Sequence, residues 1–311
     1  MAEHTNGPME DNLLSRVVCI ATGKGGVGKT TLSANVGGLA AAAGHRTLLI
    51  DLDPQGDLAD DLGYFADEEV DDGQHLATSM LMGTGLHAVL TDVRPNLDVI
   101  PGGDYLSDVS GAMLARQSRG SVQFDLLARA LMPIIDNYDL IIIDTPPTDD
   151  TLQLLALKAA RWLVIPTRAD TASIRAIKRI AGRVAEARTG GHQVDILGVV
   201  LFGVPTAATR VRREAQDDIR QLLGDVAPLF DNGVRDSSSV ARSAREKGAL
   251  VHEIAEQVEG AEPFWKALRD GDSPQRLPGS APALADDIVK VAEQVLQRIA
   301  ALEESASGGV A

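Results

Sequence analysis

The stretch Gly23-Lys24-Gly25-Gly26-Val27-Gly28-Lys29-Thr30-Thr31 constrains this chain more than any other. It follows an apolar run, Val17-Val18-Cys19-Ile20, and precedes a helical pattern with apolar residues at Leu32, Val36, Leu39, Ala40 and Ala43. Strand, glycine loop and helix in that order are what a phosphate-binding loop requires. The glycines let successive backbone N–H groups turn inward around phosphate oxygens with no Cβ in the way. The helix expected from near Thr30 adds the positive end of its dipole. In such a loop Lys29 reaches the β- and γ-phosphates, and the Thr30 hydroxyl holds Mg²⁺. A glycine-rich turn can be only a turn, but here all four fixed positions and both flanks are present. The chain reads as a nucleotide binder.

The rest of the sequence supplies the sheet that such a loop needs. Arg46 to Asp51 reads as a second buried strand, entered through Gly44 as a helix C-cap. An acidic stretch from Asp57 to Asp72 leads into helical segments near Leu76–Met82 and Leu86–Leu90. Leu97 to Gly103 is a third short strand ending in a turn, and a helix is expected over Val122–Leu131. Leu140-Ile141-Ile142-Ile143-Asp144 is the clearest buried strand. Trp162–Pro166 follows, and Ile196–Phe202 counts as the sixth, with helices at 148–160, 171–188 and 207–223 between and after them. Alternating helices and continuously apolar strands predict an α/β fold: a mostly parallel central sheet with helices on both faces. The expected division is a leader at 1–14, one P-loop domain at 15–268, a Gly/Pro/Ser-rich linker at 269–282, a C-terminal helix at 283–304 and a tail at 305–311. That last helix carries one stripe, Leu284, Ile288, Val291, Val295, Ile299 and Leu302, expected to dock on the parent domain.

Composition removes several alternatives. No apolar run approaches the length of a transmembrane helix, and the start of the chain is polar and acidic, unlike a signal peptide. The single cysteine, Cys19, sits in the first strand as a core residue; it permits no intrachain disulfide and fits a reducing cytoplasm. It also weighs against relatives that carry iron–sulfur clusters, which need several thiolates. The net charge of −15 argues against DNA as a partner, but its distribution does not. Residues 1–150 hold 8 basic and 23 acidic side chains, whereas residues 168–247 hold 14 basic and 10 acidic ones. That asymmetry predicts one face suited to a polyanion.

Asp144 closes a strand of apolar residues and precedes Thr145-Pro146-Pro147, so it reads as the carboxylate at the sheet edge near the Mg²⁺ on Thr30. Lys24 occupies a position of the glycine loop that is variable in the ordinary motif. The string Lys24-Gly25-Gly26-Val27-Gly28-Lys29-Thr30-Thr31 resembles the deviant Walker A loop of the ParA/MinD family of ATPases. Asp51-Leu52-Asp53-Pro54-Gln55-Gly56 and Asp144-Thr145-Pro146-Pro147 resemble the same family, in the same order along the chain. The resemblance spans roughly Arg16 to Gln257 and implies a P-loop NTPase of the deviant Walker A type, with ATP and Mg²⁺ as cofactors. It implies that Lys24 reaches a partner's nucleotide across an ATP-dependent homodimer. It also implies that Asp53, rather than Asp51, positions the attacking water. Gly25, Gly26, Val27, Gly28 and Thr31 complete the expected nucleotide contacts.

The basic residues come in two helical sets. Arg210, Arg213 and Arg220 oppose Val211, Ala215, Ile219, Leu222 and Leu223; Arg175, Lys178, Arg179 and Arg183 oppose Ile174, Ile177, Ile180 and Val184. Either set alone reads as an ordinary solvated face. The resemblance points to nucleoid-coating ParA proteins, with Arg210 and Arg235 near their DNA-contacting arginines, Arg213 on the same helix side as Arg210, and Arg242, Arg245 and Lys247 extending the patch. Such contacts would be to phosphates and carry no sequence information. The adenine pocket is expected from Phe202-Gly203-Val204-Pro205 and Phe230-Asp231-Asn232-Gly233. The family reading is therefore a cytoplasmic, nucleoid-associated partition ATPase, stimulated by a ParB-type partner. Two alternatives stand beside it: a MinD-like membrane-associated ATPase, disfavoured by the acidic polar face of the last helix, and a ParA-like ATPase that positions another cargo.

Overall fold

The computed structural model describes residues 14–67, 69–119, 124–189, 191–204, 209–223, 228–261 and 277–307. All but the last residue of the expected leader, most of the linker and the end of the tail lie outside them.

Seven strands form one sheet: β1 (Val17–Ile20), β2 (Thr47–Asp51), β3 (Leu90–Arg94), β4 (Leu97–Ile100), β5 (Leu140–Asp144), β6 (Trp162–Arg168) and β7 (Asp195–Phe202). Their spatial order is β3-β4-β2-β5-β1-β6-β7, parallel throughout except where β3 runs antiparallel to β4 at the edge. The expected mostly parallel sheet is what the chain forms. Strands β1, β2 and β5 are buried on both faces, which is why they are apolar without alternation. Eleven α-helices lie among the described residues: α1 (Lys29–Ala42), α2 (Leu58–Leu62), α3 (Gln74–Met82), α4 (Leu106–Ser118), α5 (Leu126–Leu131), α6 (Asp150–Ala159), α7 (Thr171–Thr189), α8 (Thr209–Leu223), α9 (Ser238–Lys247), α10 (Val251–Glu259) and α11 (Ala281–Ser307).

The two faces of the sheet make two cores. Cys19, Leu48, Ile50, Ile141 and Ile143 meet Leu152, Leu155, Ile177 and Ile180 on one side. Val18, Ile20, Leu49 and Ile142 meet Leu32, Val36, Leu250, Ile254, Leu284, Ile288 and Val291 on the other. Each such side chain removed from water contributes about 2 kcal/mol, before the entropy of ordering it. The stripe of α11 is thus part of the second core from Leu284 to Val295, while Ile299 is only partly buried and Leu302 is 43% exposed. Helix α1 packs closely because two of its residues have no side chain. A Cβ on Gly37 would come within 2.7 Å of Leu49, and one on Gly38 within 2.1 Å of Leu250.

Three expectations are corrected. Residues 86–90 are not helical: Leu86 packs as a loop residue, and Leu90 opens β3, an edge strand with only one buried position. The expected sixth strand is therefore the seventh. Helices α2, α4, α9 and α10 arise where no helix was expected, and Val211 of α8 is 46% exposed instead of facing the core. At the end of α1 the C-cap is Ala43, and Gly44 takes the left-handed turn after it, at φ 94°.

Candidate nucleotide site

Strand register brings the chemistry together. Ile20 lies opposite Asp144 across the β1–β5 pair, and Asp51 lies opposite Asp144 across the β2–β5 pair. Three strands therefore end at one height, and the glycine loop leaves β1 there. This is the C-terminal edge of a parallel sheet, beside the strand from which β5 and β6 diverge, where α/β sheets bind ligands.

Gly26 and Gly28 hold φ of 68° and 85°, left-handed values open to glycine, and Gly28 leads directly into α1. Gly28 has a second reason to lack a side chain, since a Cβ would lie 2.5 Å from the Phe202 ring. The loop is braced from β6 and α7. Arg179 Nη2 donates to the Gly23 carbonyl at 2.7 Å, and Arg168 Nε donates to the Gly26 carbonyl at 3.2 Å. Arg183 donates to Gln153 and Asp150. Two of the four cations expected on a solvated face of α7 are thus structural ties.

The carboxylates divide the labour. Asp51 is fully buried; its Oδ1 accepts from Asp53 N at 3.0 Å and its Oδ2 from Leu58 N at 3.2 Å. It holds the turn from 52 to 58. Burial, and then the neighbouring Asp144 charge, push its carboxyl well above the usual range. Asp53 accepts from Gln55 N at 3.0 Å and lies near Lys29; burial raises its pKa while Lys29 holds it down. Asp144 Oδ1 accepts from Ser33 Oγ at 2.9 Å. Its Oδ2 is buried with no hydrogen-bond partner. Burial raises Asp144 against the opposing pull of the Thr30 hydroxyl and the Lys29 ammonium. Lys29 itself is only 6% exposed, and burial lowers its pKa while Asp144 and Asp53 raise it.

The buried Lys29 ammonium faces two buried carboxylates, Asp144 and Asp53, and one Asp144 oxygen has no hydrogen-bond partner among the described residues. Magnesium fits this donor set: an all-oxygen environment of one carboxylate and one hydroxyl leaves the remaining positions to water and phosphate. Asp144 and Thr30 would hold it, and it would neutralise charge on the phosphates.

Lys24 does not stand free at the loop tip. Its Nζ pairs with Asp170 Oδ2 at 2.7 Å and Oδ1 at 2.9 Å, and donates to Ser173 Oγ at 3.1 Å. Ser173 N also donates to Asp170 Oδ1 at 2.9 Å, so the cap of α7 is the lysine's holder. Asp170-Thr171-Ala172-Ser173 has the composition of a helix start. Its partner, 146 positions away, left no trace in the sequence. Ser33, Asp170 and Ser173 are the site residues that sequence reasoning missed.

The matches to known proteins agree with this geometry. Residues 15–194 match the family model described as an AAA domain. ParA, the chromosome partitioning protein of Caulobacter vibrioides, is 33% identical over 273 residues, covering 84% of this chain and 95% of its own length. The chain belongs to the ParA/MinD family of P-loop ATPases. Soj, the sporulation initiation inhibitor protein of Bacillus subtilis, is 34% identical over 257 residues, 79% of this chain and 98% of Soj. Among solved structures, apo McdA from Cyanothece superposes with a TM-score of 0.67 at 26% identity, covering 77% of this chain and 93% of McdA. Cobyrinic acid a,c-diamide synthase from Mycobacterium smegmatis, with ADP and magnesium bound, gives a TM-score of 0.62 at 25% identity, covering 85% of this chain and 99% of that one. As a member of this family the chain is an ATPase that uses ATP and Mg²⁺.

The arginines expected to bind DNA are not one open face. Arg235 is bound to Asp287 of α11 through its backbone N (3.0 Å), Nε (2.6 Å) and Nη2 (2.8 Å). Arg245 Nε pairs with the buried Asp61 at 3.0 Å, and Arg210 pairs with Glu214 on its own helix at 2.8 Å. Arg213 and Arg242 are exposed and form no ion pair with any described residue. Helix α8 packs into the first core through Ala215 and Ile219, whereas α9 packs into the second through Val240 and Ala244. The adenine expectation also changes. Phe202 packs on Gly28, but Phe230 is buried beneath the Arg298 guanidinium, 4.1 Å from its ring. Phe230 is a core residue; Pro205 lies outside the described residues.

Proposed function

We propose that this ATPase drives DNA segregation through a nucleotide-gated dimer. ATP with Mg²⁺ occupies the glycine loop, with Lys29 on the β- and γ-phosphates and Thr30 and Asp144 on the metal. Lys24 leaves Asp170 and reaches the nucleotide of a second copy. Asp53 orients the attacking water, a task for a fixed carboxylate more than for a strong base. The dimer binds double-stranded DNA nonspecifically through exposed arginines, chiefly Arg210, Arg213 and Arg242, and a ParB-type partner speeds the hydrolysis that releases it. The observation that carries this reading is the Lys29, Asp53 and Asp144 cluster around one loop, in a chain similar over most of its length to a chromosome-partitioning ParA.

A MinD-like membrane role has less support. The apolar stripe of α11 that would meet a bilayer is mostly spent in the core, and no described helix is long and apolar enough to cross a membrane. DNA binding measured with ATP, ADP and no nucleotide across a salt series tests the proposal. ATP-dependent binding that weakens steeply with salt is expected of phosphate contacts. Equal binding in all three nucleotide states, or no binding with ATP at low salt, would refute it.

A further inference from the structure

Among the described residues, Asp61 is a buried carboxylate near the loop to which neither the catalysis nor the 52–58 turn gives a role. It lies on α2, one helical turn past the Asp51–Gly56 segment. Its side chain is 6% exposed, and its partner Arg245, on α9, is 45% exposed. The guanidinium therefore reaches in from the surface to a charge that cannot reach out. Asp61 Oδ2 is buried with no hydrogen-bond partner, so Arg245 Nε on Oδ1 is the principal compensation. Burial pushes the carboxyl up, while Arg245 and the Thr31 side chain hold it down. Asp57 and Asp60 also face the guanidinium, so Arg245 offsets several carboxylates at this place.

Thr31 lies in the first turn of α1, two residues after Lys29, and its side chain faces Asp61, which places the carboxylate one residue away from the phosphate-binding turn. The same turn of α1 has a second tie to this layer: Asn35 Nδ2 donates to the Thr31 carbonyl at 2.8 Å, and its Oδ1 accepts from Val251 N at 2.8 Å. The backbone of Gly63, just after Asp61, also lies so close to Gly248 that a Cβ on Gly248 would stand 2.1 Å from it. Helices α9 and α10 are therefore fixed to α1 and α2 by polar ties and by backbone contact, and Arg245 is held where it meets Asp61.

We infer that Arg245 is a positioning residue of the nucleotide site, which neutralises Asp61 next to the incoming phosphates, and that nucleotide affinity depends on this pair. A buried carboxylate left without its cation beside Thr31 repels a polyphosphate through a poorly screened path. The inference rests on the reading of the glycine loop as the nucleotide site, but not on DNA binding or dimerisation.

Binding of a fluorescent ADP analogue with Mg²⁺, in the absence of DNA, tests it on the full chain. Arg245→Gln is expected to weaken binding roughly ten-fold. Asp61→Asn in the same chain is expected to restore it to within about two-fold of wild type, the mark of a charge effect and not of lost packing. Asp61→Asn alone should bind at least as well as wild type, which keeps the inference testable if Arg245→Gln fails to fold. Unchanged affinity in Arg245→Gln, or no rescue by Asp61→Asn, or a ten-fold loss in Asp61→Asn alone, would overturn it while leaving the site reading intact. Failure of the wild-type chain to bind the analogue would overturn both.

Discussion

The loop end of the sheet and the arginine-bearing flank treat charge in opposite ways. At the loop, Asp53 and Asp144 are buried against Lys29 with Asp51 buried beside Asp144, and Asp144 keeps one oxygen without a partner among the described residues. At the flank, Arg210, Arg235 and Arg245 are each already paired, two of them with carboxylates of another helix. Buried like charges are costly unless a ligand resolves them, so the loop is built to receive a cation and a polyphosphate. An exposed pair such as Arg210–Glu214 is worth little to stability, whereas Arg235 and Arg245 offset carboxylates that are largely buried. The first arrangement identifies a site. The second only permits one.

The comparison breaks most easily at Lys29. Lys29→Ala should weaken ATP binding at least about 100-fold, since one charge-assisted grip on the phosphates is lost among buried carboxylates. Isothermal titration checks this, and DNA association should vanish with it; ATP-dependent DNA binding by the variant would uncouple the two regions. Asp53→Ala should slow hydrolysis about 100-fold while ATP still binds, as measured by phosphate release under single turnover.

Arg235 sharpens the contrast at the flank. Arg235→Ala should cost about 2 kcal/mol of stability in urea unfolding, because Asp287, only 14% exposed, loses both guanidinium donors and keeps only the backbone N–H. Full stability with reduced DNA affinity would instead make Arg235 a DNA contact. Asp170→Asn frees Lys24 from its own chain, so ATP-dependent self-association should begin at about three-fold lower protein concentration. Sedimentation velocity reads this; association that weakens would mean Asp170 helps the lysine reach across.

The smallest effect tests the paired surface. The Arg46 guanidinium and backbone N–H hold Asp139 down to about 2. A depressed carboxylate contributes stability above its unfolded pKa near 4, and loses it as pH falls through the folded value. With both side chains about half exposed, the loss is a few tenths of a kcal/mol. Urea midpoints of wild type and Arg46→Gln should therefore differ at pH 6 and converge by pH 2.

Sequence alone determined the loop, the strands that carry Asp51 and Asp144, the parallel sheet and the family. These are local signals: glycines in a fixed frame, a carboxylate closing an apolar strand, alternating periods. Leu90–Arg94 escaped because an edge strand with one buried position has no apolar period, and Gly83-Thr84-Gly85 before it gave no strand signal. Only the tertiary structure decided which cations are free. Lys24 meets Asp170, Arg235 meets Asp287 and Arg245 meets Asp61 across separations of 146, 52 and 184 residues. A helical period shows that an arginine points away from the core. Whether a carboxylate waits there depends on how distant helices are laid against the sheet, and the packing of both cores sets that.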